Sequence, residues 1–95
     1  MSIESITVDK FTEEKVDSDN SISETGTLKK KVGFRVKHTN GQLLIIDKWV
    51  AIVDGKSDDD YSKDAYDAAK AEITAWDNSF NNIGKTFNPD TGKIE

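Results

Sequence analysis

The sequence contains no cysteine, and histidine and proline occur once each among its 95 residues. Without thiols there is neither a disulfide framework nor a thiolate metal site, and one imidazole cannot build the usual zinc centre. Little metal chemistry is left, and neither a metal nor another cofactor is expected. Apolar residues are also scarce, at 35%. The longest uninterrupted apolar runs, Leu43 to Ile46 and Trp49 to Val53, fall far short of the roughly 20 residues that cross a bilayer. Met1-Ser2-Ile3-Glu4-Ser5 has neither the cationic nor the apolar region of a secretory signal. The expectation is a soluble, cytoplasmic protein with no membrane partner. A chain of this length forms one domain, residues 1–95, and hides roughly 60–68% of the surface that its unfolded form exposes, enough for a modest core.

Charge is unevenly laid out. Residues 1–26 hold seven acids and two lysines, residues 27–53 six bases and Asp47, and residues 54–95 ten acids and five lysines. A segment of net plus five therefore lies between two of net minus five. In a folded domain the acidic flanks pack beside the basic middle and lower its potential, by about a few tenths of a kcal/mol per exposed pair.

The middle segment carries the clearest structural signal. From Thr27 to His38, Leu28, Val32, Phe34 and Val36 alternate with Lys29, Lys31, Arg35 and Lys37, the period of a half-buried strand. Asn40-Gly41 follows, a hairpin signal because both residues tolerate positive φ. Residues 42–54 give the returning strand. A two-residue loop sets Asp47 opposite Phe34 among apolar side chains, which is costly. A three-residue loop, Thr39-Asn40-Gly41 with Gly41 left-handed, sets Asp47 near Arg35 and Lys31 and makes Lys48 snorkel from the apolar side; this second register is preferred. In either register the returning strand is apolar on both faces, the pattern of a central strand covered on each side.

Past Asp54-Gly55, Ser57 is a good N-cap, and Asp58, Asp59 and Asp60 suit the positive end of the helix macrodipole. Tyr66, Ala69, Ile73, Trp76, Phe80 and Ile83 then recur at helical spacing as one apolar stripe that Gly84 ends. Before residue 27, Ile3, Ile6, Val8 and Phe11 predict one strand or two short ones, and residues 17–21 a polar loop. The sequence thus predicts an α+β domain. An antiparallel three- to four-stranded sheet within residues 3–53 packs against one C-terminal α-helix over about residues 58–83, followed by a tail over 84–95.

Few residues look catalytic. His38 is the single possible imidazole base, and beside the turn it reads as a solvent-exposed flanking residue. No G-x-S-x-G element surrounds a serine, and no glycine-rich phosphate loop exists. Asp60 and Asp64 lie one helical turn apart but suit a solvated polar face near a helix start. Asp17, Asp19 and Ser21 match the first ligand positions of a calcium loop, yet Ile22 stands where glycine is needed and Leu28 where the bidentate glutamate is needed, so the match fails. No catalytic, metal or cofactor-binding residue is assigned, and the chain is expected not to be an enzyme.

Outward contacts remain. Lys29, Lys31, Arg35 and Lys37 share one strand face that could contact nucleic acid, against a net charge of minus five for the whole chain. Conversely, the helix face of Asp60, Asp64, Asp67 and Asp77 could imitate a phosphate backbone as a DNA-mimic inhibitor. The doubly apolar strand gives a third clue. One helix covers one sheet face, so Leu44, Ile46, Val50 and Ile52, or the opposite set, stay exposed unless another segment or a partner covers them. The expected function is a non-catalytic protein-protein interaction module, homodimeric in its simplest version, with Leu44, Ile46, Val50 and Ile52 binding the partner. The general look, a short chain rich in Asn, Asp, Ser and Lys ending in Pro89-Asp90-Thr91-Gly92-Lys93, is similar to small phage and bacterial accessory proteins. That likeness rests on no diagnostic motif and implies no site.

Overall fold

Strand β2 (Thr27–His38) is the centre of the main sheet, and its alternation gives it one apolar face and one cationic face. Antiparallel neighbours flank it, β1 (Ile3–Val16) on one side and β3 (Leu43–Ala51) on the other, in the order β1-β2-β3. This is a computed structural model, and it describes residues 2–95. The helix α1 (Asp58–Asn78) follows, so the architecture is the α+β sheet and helix that the periodicities predict.

The hairpin takes the three-residue loop. Gly41 has φ 89°, the His38 N–H donates to Gln42 O at 2.9 Å, and the Gly41 N–H donates back to His38 O at 2.9 Å. Lys37 therefore faces Leu43, and Asp47 faces Gly33. Asp47 joins the cationic face, while Lys48 on the apolar face reaches out to Glu72 at 2.5 Å. The expectation that the returning strand is central does not hold: β2 takes the centre and β3 an edge. The amino-terminal segment fills the other edge as one strand of 14 residues, so the doubly apolar strand has a neighbour on one side only.

Ser57 caps the helix as the sequence predicts, its Oγ accepting from the Asp60 N–H at 3.2 Å. The helix ends at Asn78 rather than near residue 83. Asn78, Ser79, Asn81 and Asn82 favour turns over helix, and the Ser79 Oγ donates to Trp76 O at 2.6 Å, closing the last turn. Phe80 still packs on the core edge, whereas Ile83 is left exposed. The helix buries Ala65, Ala69 and Ile73 against Val32, Phe34, Val36 and Ile46, and Tyr61 is buried at its first turn. Two alanines in this stripe let the backbone lie close over β2 and β3. On the same face the outlying strand β1 stays less covered, with Ile6 and Val8 exposed.

Tyr61 ties the first turn of the helix to the chain that leads into it. Its hydroxyl accepts from the Val53 N–H at 3.0 Å and donates to Val53 O at 2.9 Å. Replacing Tyr61 with phenylalanine leaves the Val53 N–H to find water, while Val53 O keeps the Lys56 N–H at 3.1 Å, and the expected loss is about 1 kcal/mol by urea unfolding.

The tail does not fray or dock on the sheet as a surface. It forms a second, small antiparallel pair, β4 (Phe87–Asn88) and β5 (Lys93–Ile94), closed by a turn with Gly92 at φ 67°. The molecule is 57 Å long, and the 14 residues of β1 alone span about 45 Å of extended chain. The radius of gyration, 17.5 Å, compares with about 12 Å for a compact chain of this length. The two strands of this carboxy-terminal arm pair with each other and join neither edge of the main sheet.

Candidate functional site

The sheet face turned away from the helix is built by three strands in register. Rows run across it from β1 through β2 to β3: Ser5, Lys37 and Leu43; then Thr7, Arg35 and Ile45; then Lys10, Gly33 and Asp47; then Thr12, Lys31 and Trp49. Alternation along each strand dictates this membership once Val32, Phe34 and Val36 point at the helix.

At its centre, charges pair across strands. Asp47 lies 3.3 Å from Lys10 and 3.9 Å from Lys31, and Lys31 lies 3.2 Å from Glu14. The Trp49 indole N–H donates to Glu14 at 3.1 Å, and Lys31 sits over the Trp49 ring. That indole hydrogen bond, then the one from Lys31, holds the Glu14 carboxyl below its ordinary value. A lowered folded value means that this contribution to stability is complete above the ordinary glutamate value and fades as pH falls below it. On acid titration, the Trp49 indole proton resonance should move below that ordinary value, and Glu14→Gln should abolish the movement; a shift unaffected by Glu14→Gln would assign it to another acid.

Gly33 makes this centre possible. A Cβ there would lie 2.5 Å from Asp47 Oδ1, 2.9 Å from Lys10 Cβ and 3.0 Å from Asp9 Oδ1. Gly33→Ala pushes the Asp47 carboxylate off its lysines. Overpacking of this kind costs about 1–3 kcal/mol, against about 0.5–1 kcal/mol regained by replacing a strand glycine. A net destabilisation of about 1 kcal/mol by chemical denaturation is expected, and a stabilised variant would mean that Asp47 is free to move aside.

The four cations named from the sequence do share this face, but most are engaged. Lys29 donates to Asn20 Oδ1 at 3.3 Å, Lys31 is held by Glu14 and Asp47, and Lys37 lies 3.1 Å from Glu4. Among the described residues, Arg35 alone of the four has no hydrogen-bonding or ionic partner. Of the four acids named on the helix face, three are paired, and among the described residues the Asp60 carboxylate has no hydrogen-bonding or ionic partner. Asp64 pairs with Lys56, whose ammonium that carboxylate holds above its ordinary value; Asp67 pairs with Lys63, and Asp77 with His38.

His38 is not the exposed residue that its place beside a turn suggests. It is 1% exposed. Its parity on β2 points it at the helix, where Phe80 and Trp76 close over the ring at 4.7 and 5.6 Å between centroids. Nδ1 accepts from the Asn40 N–H at 3.2 Å, which places the proton on Nε2, and Nε2–H donates to Asp77 Oδ1 at 2.7 Å. Both ring nitrogens are occupied by the fold. Among the described residues, no group of three His, Asp or Glu side chains is placed to hold a metal ion, and no helix is long and apolar enough to cross a membrane.

Of the four apolar residues named for partner binding, one is buried and one, Ile52, is exposed. Leu44, Ile46 and Val50 face the chain's own helix, where Ile46 is buried, and Ile52 lies beyond the end of β3. The exposed apolar residues of β3 are the opposite set, Leu43 and Ile45 at 45% and 51% exposure. The three-residue register carries this signal: it fixes the parity of β3 against Val32, Phe34 and Val36. The arm's exposed Phe87 and Ile94 were legible only once β4 and β5 were seen to pair. Comparison with known proteins finds no matching family model, no matching curated protein and no matching solved structure.

Proposed function

We propose that the chain is a non-catalytic protein-association module, homo-oligomeric and of the phage or bacterial accessory type, working in the cytoplasm. The observation that carries this reading is the contrast between the two edges of the sheet. Edge strands invite pairing with other chains, and proteins commonly blunt them with bulges. Strand β1 has register irregularities at Ile3/Ser5 and at Val8/Lys10, whereas β3 pairs along its nine residues without one. Beside that regular edge stand Leu43 and Ile45, exposed next to Arg35 and Lys37. Charge argues for a protein partner over a nucleic acid. Nucleic-acid affinity grows with the number of phosphates neutralised, and here most of the cationic face is engaged within a chain of net charge minus five.

Light scattering over a concentration series tests the reading. Mass should rise above 10.6 kDa with concentration, and Leu43→Ser with Ile45→Ser should return it to the monomer value. A monomer throughout the series removes homo-oligomerisation.

A further inference from the structure

We infer that Asn40 is a site of spontaneous deamidation by the Gly41 nitrogen, and that the β2–β3 turn holds the reaction in check by occupying the groups it needs, so that modification waits on opening of the turn.

Glycine after asparagine leaves the attacking nitrogen uncrowded by a side chain, and Asn40-Gly41 is the one such pair in the chain. In the reaction the Gly41 nitrogen gives its proton to hydroxide and bonds to Asn40 Cγ. The side-chain nitrogen takes a proton from water and leaves as ammonia, and a cyclic imide remains. Water then opens the imide. Cleavage between Gly41 N and Cγ gives aspartate; cleavage between Gly41 N and the main-chain carbonyl carbon gives isoaspartate, with the chain rerouted through Cγ. Only water and hydroxide enter.

The folded turn commits each participant. The Gly41 N–H donates to His38 O at 2.9 Å, which shields the proton that must leave. Asn40 Oδ1 accepts from the Gln42 N–H at 2.8 Å, so the side-chain amide is held in the turn's own hydrogen bonding. The Asn40 N–H donates to His38 Nδ1 at 3.2 Å, and that ring is buried and tied to Asp77 at the end of the helix. Attack on Cγ therefore requires these bonds to break together, and the rate is set by how often the turn opens.

The products do not rebuild the same turn. Asn40 Nδ2 is buried with no acceptor among the described residues. Aspartate puts a carboxylate oxygen in its place, and a buried charge costs more than a neutral amide. Isoaspartate adds a main-chain carbon to a loop whose length fixes the register of β3 on β2.

A second turn in the chain supplies the comparison. Asp54-Gly55 forms the same imide with loss of water, and Gly55 too has positive φ, at 80°. Among the described residues neither the Asp54 carboxylate nor the Gly55 N–H has a hydrogen-bonding partner. The two turns differ in whether the fold occupies the reacting groups.

The test incubates the full chain at mildly alkaline pH, folded and in urea, and resolves the aspartyl and isoaspartyl products at each position after proteolysis. Asn40 should convert at least about tenfold more slowly in the folded chain than in urea, as a reaction gated by local opening does, whereas Asp54 should convert at similar rates in both. His38→Phe keeps a ring in the core but removes the Nδ1 acceptor; it should raise the folded rate at Asn40 severalfold and leave the rate in urea unchanged, with helical circular dichroism as the folding control. Should that variant unfold, the parent decides: its Asn40 rate should rise in step with exchange of the Gly41 amide proton as urea is raised below the unfolding midpoint. Equal rates at Asn40 in the folded and unfolded chain overturn the proposal, as does a rate that ignores that exchange. Equal slowing at Asn40 and Asp54 assigns the protection to the fold at large and overturns it too. The purified isoaspartyl product should unfold at lower urea than the parent, and an unchanged midpoint would show that the turn tolerates the longer loop, against the proposal.

Discussion

Replacing His38 with alanine is expected to destabilise the protein by about 3 kcal/mol, within the range for deleting a large buried side chain. The ring is 1% exposed and fills the space between Trp76 and Phe80. Its removal leaves a cavity at the end of the core and unpairs the Asn40 N–H that holds the turn. Asp77 is partly open to water and can rehydrate, so its lost hydrogen bond adds less than the cavity does. Two further variants divide the effect. His38→Phe keeps the ring packing and loses both hydrogen bonds; Asp77→Asn keeps an acceptor for Nε2–H and should cost under about 1 kcal/mol. Because Trp76 lies against the ring, its fluorescence reports the transition directly. If His38→Ala unfolds within about 0.5 kcal/mol of the parent, the ring is not the keystone of this end of the core, since such small changes belong to surface substitutions.

That residue also marks where the sequence can be read and where it cannot. Period-two alternation from Thr27 to His38 placed the central strand's faces, and Asp47 decided the register because a carboxylate beside Phe34 would be left unpaired. Carried from Val36 to the end of the strand, the same alternation puts His38 on the face of Val32, Phe34 and Val36, so its burial was legible in the strand and hidden only by its closeness to a turn. Strand β3 misled for a different reason. Two apolar faces usually mean two covers, but burial of one face and exposure of Leu43 and Ile45 on the other produce the same pattern. Edge or centre depends on where β1 pairs, a long-range choice that no local period encodes. The cross-strand contacts around Gly33 were equally out of reach, since they join Lys10, Lys31 and Asp47 from three strands. The helix stop illustrates a competition: the apolar stripe continues to Ile83, yet the asparagines and Ser79 end the helix at Asn78.

Gly26→Ala is expected to cost about 3 kcal/mol, the upper end for overpacking, although Gly26 sits in a connection at the surface. A Cβ at this position would lie 2.3 Å from Val16 O, 2.5 Å from Val16 C and 3.0 Å from Val16 N. These are backbone atoms, so no rotamer change relieves the clash. Val16 cannot retreat either: it is 1% exposed and bridges to Ile22, while Asp17 Oδ1 accepts from the Asp19 and Ser21 N–H groups and fixes the loop behind it. The chain must open where β1 hands over to β2. A domain of this size is stable by about 5–14 kcal/mol in all, so the variant loses a large share and should show early exchange of the Val16 and Ser23 amide protons. Gly41→Ala is the discriminating control. Nothing lies within 4 Å of a Cβ there, and only the positive φ of 89° is strained, at about 1–2 kcal/mol. The two glycines thus separate crowding from backbone strain. If Gly26→Ala is no more destabilising than Gly41→Ala, the strands do not approach as closely at Val16 as described; if it is the worse of the two by about 1 kcal/mol or more, glycine at position 26 is required by the β1–β2 connection itself.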